Sequence, residues 1–89
     1  MVLKNTYTIT AENGLHARPA TNLVNKATKY NSEINLEYNG KTVNLKSIMG
    51  ILSLGVPRGA EVSIIISGSD EEQAMEAMTT TLKEQGLIE

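Results

Sequence analysis

"EINLEYNGKTVNL", residues 33–45, sets the frame for the sequence on either side of it. Asn39-Gly40 is the favoured pair for a two-residue type I′ turn, because both central residues take positive φ there. Such a loop pairs Tyr38 with Lys41. Counting back from that pair, Leu36 faces Val43 and Ile34 faces Leu45. Both apolar pairs land on one face, so turn and pattern specify the same antiparallel register.

Upstream, "VLKNTYTIT" (2–10) alternates, with Leu3, Tyr7 and Ile9 on one parity. That pattern predicts a half-buried strand, ended by "ENG" at 12–14. Residues 17–30 change period. Ala20, Leu23, Val24 and Ala27 share one helical face, while Asn22, Asn25, Lys26 and Lys29 fall on the other. Downstream, "SIMGILSL" (47–54) reads as a short apolar helix headed by Ser47, and "GVPRGA" (55–60) as a turn. The β-branched run "EVSIIIS" (61–67) predicts a central strand. Residues 69–86 predict a helix with a Ser69/Glu72 capping box, an inner stripe of Ala74, Ala77, Met78, Thr81 and Leu82, and Gly86 as its stop. The order is β-α-β-β-α-β-α. Its simplest packing is α+β, one mostly antiparallel sheet with helices on one face.

The 89 residues are enough for one modest domain, 1–89. Apolar residues make up 40% of the chain, but there are only three tyrosines and no Phe or Trp, so the core must be aliphatic. The chain has no cysteine, which excludes disulfides and thiolate metal sites and suits a reducing compartment. No apolar run is long enough to span a bilayer, and "MVLKNTYTIT" lacks the apolar core of a signal peptide. A cytoplasmic location is expected. The net charge of −2 is uneven: +3 over residues 1–66 and −5 over residues 67–89. The basic residues are too few and too scattered for nucleic-acid binding, but a mildly basic face could meet an acidic protein.

The chemistry concentrates at "NGLHARPAT" (13–21), which holds the chain's only histidine. Asn13-Gly14 turns the chain, and Pro19 restricts where the helix can begin. Either Arg18 is the last non-helical residue with Pro19 first in the helix, or His16 is the cap with Pro19 at the third helical position. Both place the N–H groups of Ala17 and Arg18 at a helix start, an anion-binding position. Arg18 adds a fixed cation suited to phosphate oxygens. A neutral imidazole in these surroundings is a nucleophile. Spacing alone leaves open a structural histidine at a helix start. A metal site is excluded by the lack of co-ligands, and no cofactor is called for. Ser47 has two readings, a plain N-cap or a serine whose phosphate the helix start would tolerate. Ile48, Met49, Ile51 and Leu52 cannot all face inward, so some, Met49 first, should form an exposed apolar patch.

"GLHARPAT" (14–21) and "LEYNGKTVNLKSIMG" (36–50) together closely resemble the HPr family. These are the histidine-containing phosphocarriers of bacterial phosphoenolpyruvate:sugar phosphotransferase systems, and the resemblance is to the low-GC Gram-positive type. It spans essentially the whole chain. It implies an open-faced β-sandwich of four antiparallel strands covered by three helices. It also implies that His16 is phosphorylated on Nδ1 by Enzyme I, that Arg18 contacts the phosphoryl group, that Ala17 supplies a backbone donor and that Pro19 fixes the helix start. Ser47 matches the serine modified by HPr kinase/phosphorylase, whose phospho form is a corepressor with the catabolite control transcription regulator. Ile48, Met49 and Leu52, with Arg18, match the partner-binding patch. The further partners implied are sugar-specific A domains, and a monomer that is no stand-alone catalyst is expected. Leu52 stands where relatives usually carry Met, and Leu15 where they often carry Ile; both changes keep volume. His16 argues against the family's regulatory paralogue, which lacks the histidine.

Overall fold

The computed structural model describes residues 2–89. Its elements are β1 (Val2–Thr8), α1 (Ala17–Ala27), β2 (Glu33–Tyr38), β3 (Lys41–Asn44), α2 (Ile48–Ser53), β4 (Glu61–Ser67) and α3 (Glu71–Glu84), the expected order. The strands form one antiparallel sheet, β1-β4-β2-β3, with β4 interior as its β-branched composition predicts. Asn39 and Gly40 take φ of 52° and 81°, and Tyr38 pairs with Lys41 and Leu36 with Val43. The Leu45 N–H donates to the Ile34 carbonyl at 2.8 Å, which carries the predicted register past the end of β3.

One sheet face is aliphatic. Val62, Ile64 and Ile66 of β4 are buried there beside Ile34 and Leu36 of β2, and the helices cover them with Ala20, Leu23, Ile51, Ala74, Met78 and Leu82. Burying each large aliphatic side chain contributes about 1.5–3 kcal/mol. On α1, Ala20, Leu23 and Ala27 are buried and Val24 partly so, as the spacing predicts. The helix stops at Ala27 rather than reaching residue 30. The Lys29 and Tyr30 N–H groups close tighter turns onto Lys26 and Ala27, and Lys46 Nζ donates to the Tyr30 carbonyl at 2.7 Å. The chain is thereby turned into β2.

The start of α3 differs from the expected capping box. Asp70, not Ser69, holds the cap position, and its carboxylate makes no capping bond. It accepts instead from the Asn31 N–H at 2.8 Å, the Ser32 N–H at 2.9 Å and the Ser32 hydroxyl. Ser32 is buried, so its polar groups need strong acceptors and capture the carboxylate. Glu71 Oε1 accepts the Gly68 N–H at 3.1 Å. Along α3 the inner stripe holds at Ala74, Met78, Thr81 and Leu82, but Met75 is buried more deeply than Ala77. Tyr7 of β1 draws that side inward, its hydroxyl meeting Thr79 Oγ1 and Met75 Sδ.

The loops at one end of the sheet fit closely. The Gly59 N–H donates to the Ile9 carbonyl at 2.7 Å and the Ile9 N–H to the Ala60 carbonyl at 2.8 Å. The Leu15 N–H donates to the Val56 carbonyl at 3.0 Å. This last contact needs Gly14, which takes φ +65°; a Cβ there would lie 2.3 Å from the Val56 carbonyl oxygen and 2.9 Å from Pro57 Cα. Both the conformation and the space belong to glycine.

Two outcomes follow from these contacts. Asp70 is held below the ordinary carboxylate value of 3.8, first by the Ser32 hydroxyl and then by the Asn31 N–H. A lowered folded value stabilises the native state above 3.8, and that contribution is lost as pH falls through the folded value. Asp70→Asn should therefore lower the urea midpoint at pH 7, with the gap to wild type closing toward pH 3. A gap that is constant with pH would show that the carboxylate charge is not what matters. Gly14→Ala should cost at least about 2 kcal/mol in denaturant unfolding and shift the amide resonances of His16, Ala17 and Val56.

Candidate functional site: a histidine at a helix mouth

His16 occupies the N-cap of α1 with extended backbone, φ −91° and ψ −179°. Pro19 is therefore the third helical residue, the second of the two placements the sequence allows. It is buried, and it falls where a missing N–H costs nothing. The first intrahelical bond runs from the Ala20 N–H to the His16 carbonyl at 3.1 Å. His16 makes no side-chain capping bond, and no acidic residue lies in the first turn. Among the described residues the Ala17 and Arg18 N–H groups have no acceptor, and the Arg18 guanidinium has no hydrogen bond or ion pair. The helix mouth thus presents two backbone donors, a positive dipole end and a free cation on one exposed surface.

An open depression at this mouth is lined by His16, Ala17, Arg18, Thr21 and Asn22. The sequence reading missed Thr21 and Asn22. Their signal was spacing, since they lie four residues beyond Ala17 and Arg18 and so on the same side of the helix. Thr21 Oγ1 donates to the Ala17 carbonyl at 2.8 Å, and Asn22 Nδ2 donates to Gln85 Oε1 at 2.7 Å, tying α1 to the end of α3. The imidazole is oriented from behind: Nδ1 lies 3.2 Å from the Gly14 carbonyl oxygen. A carbonyl only accepts, so this contact is a hydrogen bond when Nδ1 carries the proton, which leaves the lone pair on Nε2.

Ser47 is the N-cap of α2, and its Oγ accepts the Gly50 N–H at 3.1 Å. The capping reading is therefore correct in geometry, and the residue remains partly exposed. The neighbouring Lys46 ammonium is engaged on the Tyr30 carbonyl. Behind Ser47 the apolar residues divide as expected. Ile51 is buried and Ile48 half-buried, while Met49 is 76% exposed and Leu52 38%. Ser47 and His16 stand at the starts of two different helices. α1 packs on α2, and the Gly14 contact with Val56 joins the His16 loop to the segment that leaves α2.

Known proteins share this fold and sequence. The family described as "PTS HPr component phosphorylation site" matches residues 3–84. The histidine-containing phosphocarrier protein of a Mycoplasma superposes with a TM-score of 0.96 at 39% identity, covering 98% of this chain and 99% of its own. HPr of Thermoanaerobacter tengcongensis gives 0.87 at 45% identity, covering 96% and 94%. Crh of Bacillus subtilis, described as a catabolite repression protein that forms a swapped dimer, gives 0.74 at 44% identity, covering 84% and 86%. The chain belongs to the HPr family, the phosphocarriers of the sugar phosphotransferase system.

Proposed function

We propose that His16 is the carrier residue, accepting a phosphoryl group from phospho-Enzyme I and passing it to sugar-specific A domains. The observation that carries this reading is the exposed imidazole beside the unpartnered Ala17 and Arg18 N–H groups. In the transfer an imidazole lone pair attacks phosphorus. The bond from phosphorus to the donor's nitrogen breaks as the new nitrogen–phosphorus bond forms, and the proton on the other ring nitrogen stays there. The phosphoryl oxygens then face Ala17, Arg18 and the guanidinium, which offset their charge without rearrangement. Attack from Nδ1, the atom the family resemblance implies, requires the proton on Nε2 and the ring turned away from the Gly14 carbonyl. Phosphoenolpyruvate and Enzyme I should label the wild type with acid-labile phosphate. Label that survives His16→Ala would sink the assignment.

A second reading concerns Ser47. We infer that an ATP-dependent HPr kinase/phosphorylase modifies it, and that the phosphoserine form acts as corepressor with the catabolite control regulator. Support comes from its place at a helix start, where added negative charge is tolerated, and from the exposed Met49 and Leu52 beside it. Ile48, Met49, Leu52 and Arg18 would form the shared docking surface. We read the chain as a cytoplasmic monomer; no helix among the described residues is long and apolar enough to cross a membrane. The kinase should give acid-stable phosphate that is lost in Ser47→Ala, a variant that also loses about 1 kcal/mol with the cap. Ser47→Asp should slow phosphorylation of His16 by Enzyme I, and unchanged kinetics would refute coupling between the two sites.

A further inference from the structure

A second cleft lies apart from His16 and Ser47. It is about 530 Å³ in volume and runs between edge strand β1 and helix α3, lined by Val2, Leu3, Asn5, Glu72, Met75 and Glu76 among others. Among the described residues, β1 has a neighbour only on its β4 side. Which of its groups are free follows from parity. Ile9 bonds across to Ala60, and the same register continues through Tyr7↔Val62, Asn5↔Ile64 and Leu3↔Ile66. Antiparallel pairs alternate between bonded and non-bonded, so the N–H and C=O groups of Val2, Lys4 and Thr6 point to the open edge. Edge strands are usually blunted, and here Lys4 is the only charge on the strand. That charge is engaged with Glu37, 3.4 Å away.

The cleft is amphipathic, and its unpaired charges are acidic: Lys4, the cation among its lining residues, is held by Glu37. Met75 is buried at its floor, Val2 is 61% exposed at its lip, and Asn5 offers an exposed amide. Glu72 and Glu76 are both exposed, stand one helical turn apart and have no ion pair among the described residues. A strand added to β1 would send alternate side chains toward α3, where an apolar residue would meet Met75 and basic residues would meet the two carboxylates.

We propose that this cleft docks an extended basic–apolar segment of a partner protein, which joins the sheet at β1 in the pattern basic-x-apolar-x-basic. None of the residues lining it lines the His16 depression or belongs to the Ser47 helix. A partner held there leaves both phosphorylation surfaces open.

The test uses the full isotope-labelled chain and the peptide acetyl-Lys-Thr-Val-Thr-Lys-amide, followed by amide NMR at low salt. Saturable shifts are expected at Val2, Lys4, Thr6, Met75 and Thr79, with little change at His16 or Met49. Affinity should fall at least fivefold in the Glu72→Gln/Glu76→Gln double variant. Those substitutions are on the surface, so their spectra otherwise match wild type. The same peptide with Glu in place of Lys should not bind. Shifts centred on Met49 and Leu52, binding unaffected by the double variant, or no saturable shift at millimolar peptide would each overturn the proposal. So would concentration-dependent shifts of the β1 amides without peptide, with a dimer in sedimentation, because the edge would then belong to a second copy.

Discussion

The buried row of β4 governs this molecule. Val62, Ile64 and Ile66 are each almost or fully inaccessible, and every other strand takes its parity directly or indirectly from them. Ile66 has Leu3 on one side and Ile34 on the other, and Ile64 has Asn5 and Leu36. A slip of one residue in either pairing would turn an aliphatic row out to solvent and bring Lys4 or Glu37 inward. The cost of burying such a charge unpaired is what makes the register single-valued. The opposite sheet face carries what this parity leaves over. It is mostly polar, with Ile65 half-buried between Lys4 and Asn35, is tied by contacts such as Thr6 Oγ1 to Ser63 Oγ at 2.9 Å, and can stay uncovered.

A sheet fixed in this way determines where the loops meet. Ile9, Gly59 and Ala60 extend the β1–β4 pairing beyond the strands, which brings the chain before α1 against the chain before β4. The two backbones then approach too closely at Gly14 for any side chain to intervene. Because Leu15 is buried at the next position, His16 is pushed to the surface as α1 begins. Its exposure is thus a consequence of the packing on both sides of it, and its direction is set by a backbone carbonyl rather than by a charged partner.

Most of the fold was legible because short-range rules and the hydrophobic pattern agree over most of the chain. Asn39-Gly40 carried the hairpin register, and the period of Ala20, Leu23 and Ala27 carried the inner face of α1. The misreadings share one cause. Asp70 and Met75 are placed by residues far away in the chain, Ser32 and Tyr7, and no local pattern announces such partners. At the site, residue types and spacing pointed to an anion at the start of α1. They could not choose between two helix starts, because Pro19 fits either. Nor could they show that the Gly14 carbonyl faces the ring or that Thr21 and Asn22 complete the depression. Long sequence motifs, rather than spacing, singled out phosphoryl transfer.

The openness of the helix mouth bears on the proposal that His16 is the carrier residue. A residue that passes a group on must hold it with little net stabilisation, since tight retention would raise the barrier to release. Charge interactions at an exposed helix start are worth only about 0.3–1 kcal/mol each, and salt weakens them further. On the proposed reading, two N–H groups and one solvated guanidinium would orient a phosphoryl group without enclosing it. A buried pocket with paired arginines would bind the same group more strongly and surrender it more slowly. Shallow placement would also leave the phosphorus accessible along the line of attack, so that donor and acceptor could approach the same face in turn. On that reading the construction of the site suits passage over storage: its backbone is fixed from behind by Gly14 and Pro19, while the ring can turn and the front is open.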